Sequence, residues 1–383
     1  MSEGKTLLLL LDGNALMHRA FHALPPLTVT RTGEAVGALY GFIRMLLKVI
    51  ADRKPTHWAI AFDRPAPTFR HLEFPDYKAQ RPKAPEELAR QLQRVRELVG
   101  ALGIPSFEMD GYEADDMLGT LSRQASANSV DVIIVTGDAD AMQLVSPRVR
   151  VLTPGRTFSD VVLYDRDAVC QRYGVPPEQI TDLKALDGDP SDNIPGVPGV
   201  GKKTASRLIQ QLGGIENIYE HTDEVSPPRL RQLLRENEEM VRRGKGLTTI
   251  VTDVPITLDL TACQVGAYDR DKVSETFSEL EFFSLLDKLP WTEAGGEERR
   301  GASTIGGKTK SEEAYLIVED VEALDGLITR LSSSSSFAIH LETAVGKSAP
   351  PQPVGIAISP APARAYYLPV RGGGLGLTSG FPL

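Results

Sequence analysis

Short apolar runs alternate with longer amphipathic stretches as far as about residue 185. Apolar runs of about four to eight residues are typical of buried strands, whereas apolar residues spaced three and four apart indicate helices. This pattern predicts strands over 6–11, 57–62, 131–135 and 149–152, and helices over 34–52, 86–102 and 113–125. The alternation predicts an α/β fold with a mostly parallel central sheet covered by helices.

Beyond this region the pattern changes twice. It becomes helical and basic after about residue 176, and 227–245 contains several arginines in a helical pattern. Residues 291–312 are rich in glycine and charge and poor in large apolar residues, which is typical of a linker. We therefore predict an α/β domain over 1–175, a helical subdomain over 176–290, a linker over 291–312 and a partial domain over 313–383.

Carboxylates follow three of the apolar runs and also occupy later turns. Because the carboxyl ends of parallel strands meet at one edge of a sheet, we expect these acids to converge. Crowded anions repel one another, and a hard divalent cation with oxygen ligands removes that conflict. Taken singly, each acid could simply cap a helix or lie in a solvated turn. The candidate ligands are Asp12, Asp63, Glu113, Asp115, Asp116, Asp138, Asp140, Asp189 and Asp192.

A basic, proline-rich segment lies between two of the acidic motifs. Residues 64–85 interrupt the alternation with five prolines and read as a long insertion, which in a compact domain is usually functional. Residues 64–100 carry eight Lys or Arg against five acids, with aromatic residues interleaved. A basic segment beside an acidic metal site suits a phosphodiester substrate, although such a charge run could also be a solvated helix face.

A glycine turn near residue 200 resembles two different phosphate-binding motifs. The stretch 196–203 nearly matches the phosphate loop of nucleotide-binding proteins, but Lys203 stands where a hydroxyl is needed and no buried strand precedes it. A helix–hairpin–helix motif fits better, with helices over 180–186 and 202–212. Its backbone amides would grip a DNA phosphate without reading sequence, although an ordinary turn is the alternative. The predicted DNA contacts are Gly196, Gly199, Gly201, Lys202, Lys203, Thr204 and Arg207.

Composition limits the class of protein and the compartment in which we expect it. The chain has 383 residues, an ordinary apolar fraction of 41% and a net charge of −9, to which the acidic cluster contributes. Cys170 and Cys263 are far apart and fit no metal or redox spacing, which favours a reducing cytosol. The five-residue run 7–11 is too short to span a bilayer, so we expect neither a membrane segment nor secretion.

Several ordered motifs together resemble the 5′ nuclease domain of bacterial DNA polymerase I, which belongs to the flap endonuclease family. The resemblance covers about residues 5–290. It rests on DGNALMHRAFHALP, AFDRPAPTFRHLEFPDYKAQRP, GYEADDMLGTL, VTGDADAMQLV and LKALDGDPSDNIPGVPGVGKKTA. It implies a PIN-like 5′ nuclease fold in which 64–100 forms a helical arch.

The resemblance also implies a cofactor and roles for individual residues. Two Mg²⁺ ions, which Mn²⁺ can replace, are expected, one nearer Asp12, Asp63 and Glu113 and the other nearer Asp138, Asp140 and Asp192. Asp116 and Asp189 could instead support the ligands from behind. Lys78 and Arg81 would neutralise charge growing on the scissile phosphate. Tyr77 could stack on a displaced base or pack within the arch.

The C-terminal stretch resembles the beginning of a 3′–5′ exonuclease domain with a ribonuclease H-like fold. In proofreading members a strand there carries Asp-x-Glu, whereas here His340 stands in place of the aspartate and only Glu342 is retained. Because an imidazole would weaken a two-metal site, we predict no proofreading activity. No polymerase domain is present in this sequence.

The implied activity is that of a structure-selective 5′–3′ exonuclease and 5′-flap endonuclease. It would act on branched or RNA-primed DNA in primer removal and repair, with a DNA polymerase as a possible partner. We expect a monomer in the bacterial cytoplasm, associated with the nucleoid. A PIN-type ribonuclease is one alternative, and a non-catalytic binder of branched DNA is another. The complete acid set disfavours the second, because unused buried carboxylates are costly.

Overall fold

The structure is a computed structural model that describes residues 6–155, 161–290, 314–318, 321–334, 336–344, 352–361 and 364–369. The chain divides into two compact units, Met1–Arg300 and Gly301–Leu383. Among the described residues, no helix combines the length and the apolar character needed to cross a bilayer.

The first unit is built on a sheet of six strands. They are β1 Leu7–Asp12, β2 His57–Ala61, β3 Ser106–Phe107, β4 Asp131–Val135, β5 Val149–Pro154 and β6 Val161–Tyr164. Their order is β3-β2-β1-β4-β5-β6, and all neighbours are parallel except β5 and β6. The predicted α/β class with a mostly parallel sheet is confirmed. The short strands β3 and β6 were not predicted: β3 has two residues, and β6 has four and pairs antiparallel at the edge of the sheet.

Helices cover both faces of this sheet because its central strands are apolar on both sides. The helices of this part are α1 Gly13–Ala23, α2 Gly37–Arg53, α3 Phe69–Glu73, α4 Glu86–Ala101, α5 Ala114–Ala127 and α6 Arg166–Tyr173. One face packs against α1, α2 and α4, and the other packs against α5. In β1, Leu8, Leu9 and Leu10 are completely buried, so the strand that ends in Asp12 is fixed on both sides.

The predicted insertion 64–85 is more structured than its prolines suggest. It contains the short helix α3, whose N-terminus is capped by Thr68 and His71 in a reciprocal capping box. Hydrogen-bonded turns follow through Arg81. We call residues 64–100, including α3 and α4, the arch segment.

The chain after residue 175 is helical in the first unit. Its helices are α7 Ile180–Asp187, α8 Lys202–Leu212, α9 Ile215–Glu220, α10 Pro228–Glu236, α11 Glu238–Thr248, α12 Arg270–Glu279 and α13 Phe283–Leu286. The arginine-rich stretch predicted as helical is divided at Asn237, which ends α10 and begins α11. The Asn237 side chain donates to the Leu233 carbonyl oxygen at 2.8 Å, a local bond that competes with helix continuation.

The described residues of the second unit form a sheet of four strands and one helix. The elements are β7 Ala314–Ile317, α14 Val321–Ser332, β8 Ala338–Ala344, β9 Gln352–Ala361 and β10 Arg364–Pro369. The strand order is β7-β10-β9-β8, with β10 parallel to β7 and the other pairs antiparallel. His340 lies on β8 with an exposed side chain. The predicted linker over 291–312 lies outside the described residues.

Candidate metal centre and nucleic-acid interface

Three acids lie where neighbouring strands end. Asp12 is the last residue of β1 and caps α1, because its Oδ1 accepts from the Ala15 amide at 2.9 Å. Asp63 follows β2 and accepts from the Ala114 amide at 2.8 Å. Asp138 follows β4, the other strand beside β1. The parallel register therefore brings these carboxylates to one edge of the sheet.

Burial makes this edge electrostatically costly. It raises the pKa of Asp12 to about 7; a hydrogen bond from Thr136 at 2.6 Å opposes this rise, and nearby Asp63 and Asp138 add to it. Burial also raises the pKa of Asp115 well above its usual range, with Asp138 and Asp12 as further causes. The Asp115 Oδ1 atom is buried and has no hydrogen-bond partner among the described residues. An unpaired carboxylate oxygen among other acids fits a divalent cation with oxygen ligands.

The acids line two adjoining clefts. The first has a volume of about 500 Å³ and is lined by Asp12, Asp63, Glu113 and Asp115. The second has a volume of about 460 Å³ and is lined by Asp140 and Asp189. Both clefts share the residues Arg81, Gly137 and Asp138. Asp138 is therefore the acid that both clefts have in common.

Two acids of the second cleft, Asp140 and Asp189, belong to a compact acidic cluster with Asp192. One carboxylate oxygen from each of Asp140, Asp189 and Asp192 lies within 4.8 Å of the others. The Lys184 ammonium group contacts Asp140 and lies 2.6 Å from Asp189. Burial raises the pKa of Asp189, but the ion pair with Lys184 and hydrogen bonds from Ser191 bring it below its usual value.

The arch segment places its cations directly on these acids. Lys78 Nζ lies 2.7 Å from Glu113 Oε1, and Arg81 Nη2 lies 2.5 Å from Asp192 Oδ1. Burial alone lowers the pKa of Lys78, but Glu113 and Asp192 raise it above its usual value. Both side chains also line the first cleft, where an anionic substrate group would meet them.

Tyr77 adopts the packing role among the two that the sequence allows. Its ring is 3% exposed, and its hydroxyl donates to Asp192 at 2.9 Å and to Glu113 at 3.1 Å. The buried ring favours packing within the arch segment in this conformation, and base stacking stays an untested prediction. Tyr77 instead holds two predicted ligands in place.

Asp116 does not face the clefts. Its two carboxylate oxygens each lie 2.8 Å from the Arg70 guanidinium, and they also accept from the Val251 and Glu113 backbone amides. Both oxygens are committed to these donors, which favours the supporting position behind Glu113 that the sequence leaves open for Asp116, and direct ligation by Asp116 stays an untested prediction.

The predicted helix–hairpin–helix has its two helices and a tight turn. A Cβ on Gly196 would lie 2.3 Å from the Asp187 backbone, so only glycine permits this contact between the turn and the end of α7. Gly199 has a φ of +78°, which also favours glycine. Gly201 caps α8, and the Lys202, Lys203 and Arg207 side chains on this helix are exposed. Thr204 lies in the first turn and is partly buried.

Three contacts of the site were not predicted from the sequence. Thr136 hydrogen-bonds Asp12, Arg70 pairs with Asp116, and Lys184 pairs with Asp140 and Asp189. The position of two of these residues in the sequence could have suggested their contacts. Thr136 directly follows β4, and Lys184 lies five residues before Asp189. His18 also lines the first cleft, and burial lowers its pKa.

Comparison with known families identifies two matching regions. The model described as 5′-3′ exonuclease, N-terminal resolvase-like domain, matches residues 7–174. The model described as 5′-3′ exonuclease, C-terminal SAM fold, matches residues 175–271. The two matches are contiguous and contain all of the acids described above.

Curated relatives are longer than this chain. DNA polymerase I of Chloroflexus aurantiacus is 41% identical over 392 residues, a match that covers 95% of this chain and 41% of the relative. DNA polymerase I of Bacillus subtilis is 41% identical over 309 residues, a match that covers 81% of this chain and 35% of the relative. The chain therefore spans about two fifths, or less, of the length of these relatives.

Solved structures share the fold of the first unit. Bacteriophage T5 5′-exonuclease with bound zinc aligns with a TM-score of 0.55 at 23% identity, covering 72% of this chain and 98% of that one. Bacteriophage T5 flap endonuclease, in a pseudo-enzyme-product complex with DNA and metal ions, aligns at 0.53 and 22% identity, covering 73% and 99%. These likenesses show a common fold.

Proposed function

Because this chain belongs, through residues 7–271, to the 5′-3′ exonuclease family, we propose that it is a structure-selective 5′ nuclease that hydrolyses DNA phosphodiesters. The convergence of Asp12, Asp63 and Asp138 at adjacent strand ends, beside the unpaired Asp115 oxygen, supports this proposal best. So dense a set of acids suits cations that bind a phosphate, and the cations of the arch segment lie within reach.

The donor set suits two Mg²⁺ ions, for which Mn²⁺ can substitute. Asp12, Asp63, Glu113 and Asp115 would hold one ion, and Asp140, Asp189 and Asp192 the other, with Asp138 between them. When bound, such ions offset negative charge on the phosphate and lower the pKa of an attacking water.

The protein's own cations would orient the substrate. Lys78 and Arg81 line the first cleft beside the acids. Each now pairs with an acid, so each would be free to contact the scissile phosphate once divalent ions bind those acids. Donors fixed around developing charge stabilise a transition state without reorganising. Water would attack the phosphorus and leave a 5′-phosphate and a 3′-hydroxyl.

The proposed substrate is a branched duplex with a 5′ flap, including RNA-primed DNA. The α8 helix would grip the duplex backbone through Lys202, Lys203 and Arg207, and the arch segment would receive the single strand. This activity would serve primer removal and repair at the bacterial nucleoid. A polymerase domain or a separate polymerase would extend the opposite strand, and one copy of the chain carries both clefts.

The two alternatives make different predictions. A PIN-type ribonuclease would cut single-stranded RNA and would not need the duplex grip of α8. A non-catalytic binder would hold branched DNA without cutting it. The unpaired Asp115 oxygen disfavours the second, because a buried carboxylate without a partner is costly unless a ligand compensates it.

The test is cleavage of an end-labelled 5′-flap duplex in Mg²⁺, with EDTA and Asp138→Asn as negative controls. Asp52→Asn is the matched control, because Asp52 pairs with Lys48 on an exposed helix surface. We expect a cut at the flap junction with the wild type and Asp52→Asn only. Tight binding without a cut would support the binder, and preferential cutting of single-stranded RNA would support the ribonuclease.

A further inference from the structure

Lys184 occupies the acidic cluster of the second cleft. It lies in α7, and its side chain is 18% exposed. Its ammonium group contacts Asp140 and lies 2.6 Å from Asp189, two of the three acids whose oxygens converge there. The third acid, Asp192, has separate donors in Arg81 and Tyr77. Lys184 therefore pairs with the two acids that Arg81 and Tyr77 do not contact, and its single positive charge offsets one of their two negative charges.

An ammonium group and a divalent ion compete for such a position. Both are attracted by the same carboxylate oxygens, and they repel each other across a partly buried site where water screens charge weakly. Lysine is a compact charge on a flexible four-carbon stem, so it can leave the cluster without a backbone change. Lys184 already lines the second cleft, which is open beside it.

We propose that Lys184 is a resident counter-cation that a divalent ion must displace from Asp140 and Asp189. Lys184 is thus a positioning residue that keeps this cation site weak and holds its acids in place until an ion arrives. The displaced ammonium group enters the cleft, where it can pair with a substrate phosphate. Filling of the second site and binding of phosphate are thereby coupled. The inference rests on the proposed metal-dependent function.

The test compares Mn²⁺ binding by the wild type, Lys184→Met and Lys184→Arg, without substrate. Electron paramagnetic resonance measures the concentration of free Mn²⁺, and calorimetry measures the heat of binding. Lys202→Met is the matched control, because Lys202 lines the same cleft but donates to the Arg172 carbonyl oxygen at 3.4 Å. Activity is not needed for either readout.

We expect Lys184→Met to tighten one Mn²⁺ site by about tenfold or more, since it removes a like charge a few ångströms away. Lys184→Arg keeps the charge and is expected to keep weak binding, as is Lys202→Met. Without metal, Lys184→Met should melt at a lower temperature than the wild type, and Mn²⁺ should restore it. Lys184→Gln provides the same comparison if the methionine variant does not fold even with Mn²⁺.

Two results would overturn the inference. The first would leave the proposed function intact, and the second would overturn the proposed metal dependence as well. If all variants bind two ions with wild-type affinity, or if the uncharged variants bind more weakly, Lys184 does not compete with the metal and only this inference fails. If neither the wild type nor the uncharged variants bind Mn²⁺, the proposed metal dependence fails with it. Binding of a second ion only by the uncharged variants would support displacement.

Discussion

Arg70 and Asp116 form a buried bidentate ion pair that joins the arch segment to the helix behind Glu113. Arg70 Nη1 and Nη2 each lie 2.8 Å from an Asp116 oxygen, and the two side chains are 3% and 0% exposed. Arg70 also donates to the Leu247 and Thr249 carbonyl oxygens. One side chain therefore connects α3, α5 and the end of α11.

Arg70→Met is expected to lower the free energy of unfolding by about 3–5 kcal/mol, because it leaves a buried carboxylate without its partner. Urea unfolding followed by circular dichroism measures the loss. Lys48→Met, which breaks the exposed pair with Asp52, is the control and should leave the midpoint unchanged. The double variant Arg70→Met, Asp116→Leu should lose less than Arg70→Met alone. If Arg70→Met and the control Lys48→Met lose the same free energy of unfolding, the buried ion pair does not stabilise the protein as proposed.

Metal-free stability should fall as the pH rises toward neutrality. Asp12 has a folded pKa of about 7 against a usual value of 3.8, so the folded state binds more protons between these values. Stability from this group is fully present below the lower value and is lost as the pH rises through the upper one. We therefore expect the melting temperature in EDTA to decrease over this range.

The same titration should make metal binding stronger at higher pH. An ion needs the ionised carboxylate, so the increase in melting temperature caused by Mg²⁺ should grow from about pH 5 to pH 8. Thermal melts with Mg²⁺ and with EDTA at each pH measure the difference. Asp12→Asn should flatten both trends. A Mg²⁺ effect independent of pH would show that Asp12 is not a ligand.

Tyr77→Phe separates the two roles considered for this residue. If the hydroxyl holds Glu113 and Asp192, its removal should lower stability by about 0.5–1.5 kcal/mol and alter Mn²⁺ affinity. If the ring stacks on a base, phenylalanine should preserve every property. Urea unfolding and Mn²⁺ titration measure the first outcome, and flap binding in EDTA serves as the control, which should not change.

Lys203→Ala and Arg207→Ala should each weaken duplex binding by a similar factor for all sequences. Each would reduce the slope of log affinity against log salt concentration by about one, as expected for a lost phosphate contact. Fluorescence anisotropy of labelled duplexes at several salt concentrations measures this. Lys288→Ala is the control, because Lys288 is exposed and follows α13, outside the helix–hairpin–helix. Unequal effects on different sequences would indicate base contacts.

The strands and the acids at their ends could be predicted because both depend on local pattern. The run before Asp12 is continuously apolar, and parallel strands align such ends without further information. The bounds of β4 and α8 match their predictions because turn residues delimit them on both sides.

The partners of the acids could not be predicted, because they come from distant parts of the chain. Arg70 reaches Asp116 from another motif, and no local pattern marks that an arginine in a proline-rich stretch will be buried. The roles of Asp116 and Tyr77 depended on the same long-range packing. Local propensity also missed α3, which its capping box stabilises within five residues.

Hydrogen bonds tie the arch segment to the loop that carries Asp192. The Lys78 amide donates to the Asp192 carbonyl oxygen at 3.0 Å, Gln80 donates to Asn193 at 2.9 Å, and Asn193 donates to the Asp76 carbonyl oxygen at 2.8 Å. A strand can pass between the arch segment and the acids only when these bonds break. Under the proposed function, a lone single strand would offer few contacts to offset that loss, whereas a duplex held at α8 would offer more. Under the proposed function, the closed segment would therefore open only where a free end and a duplex arrive together.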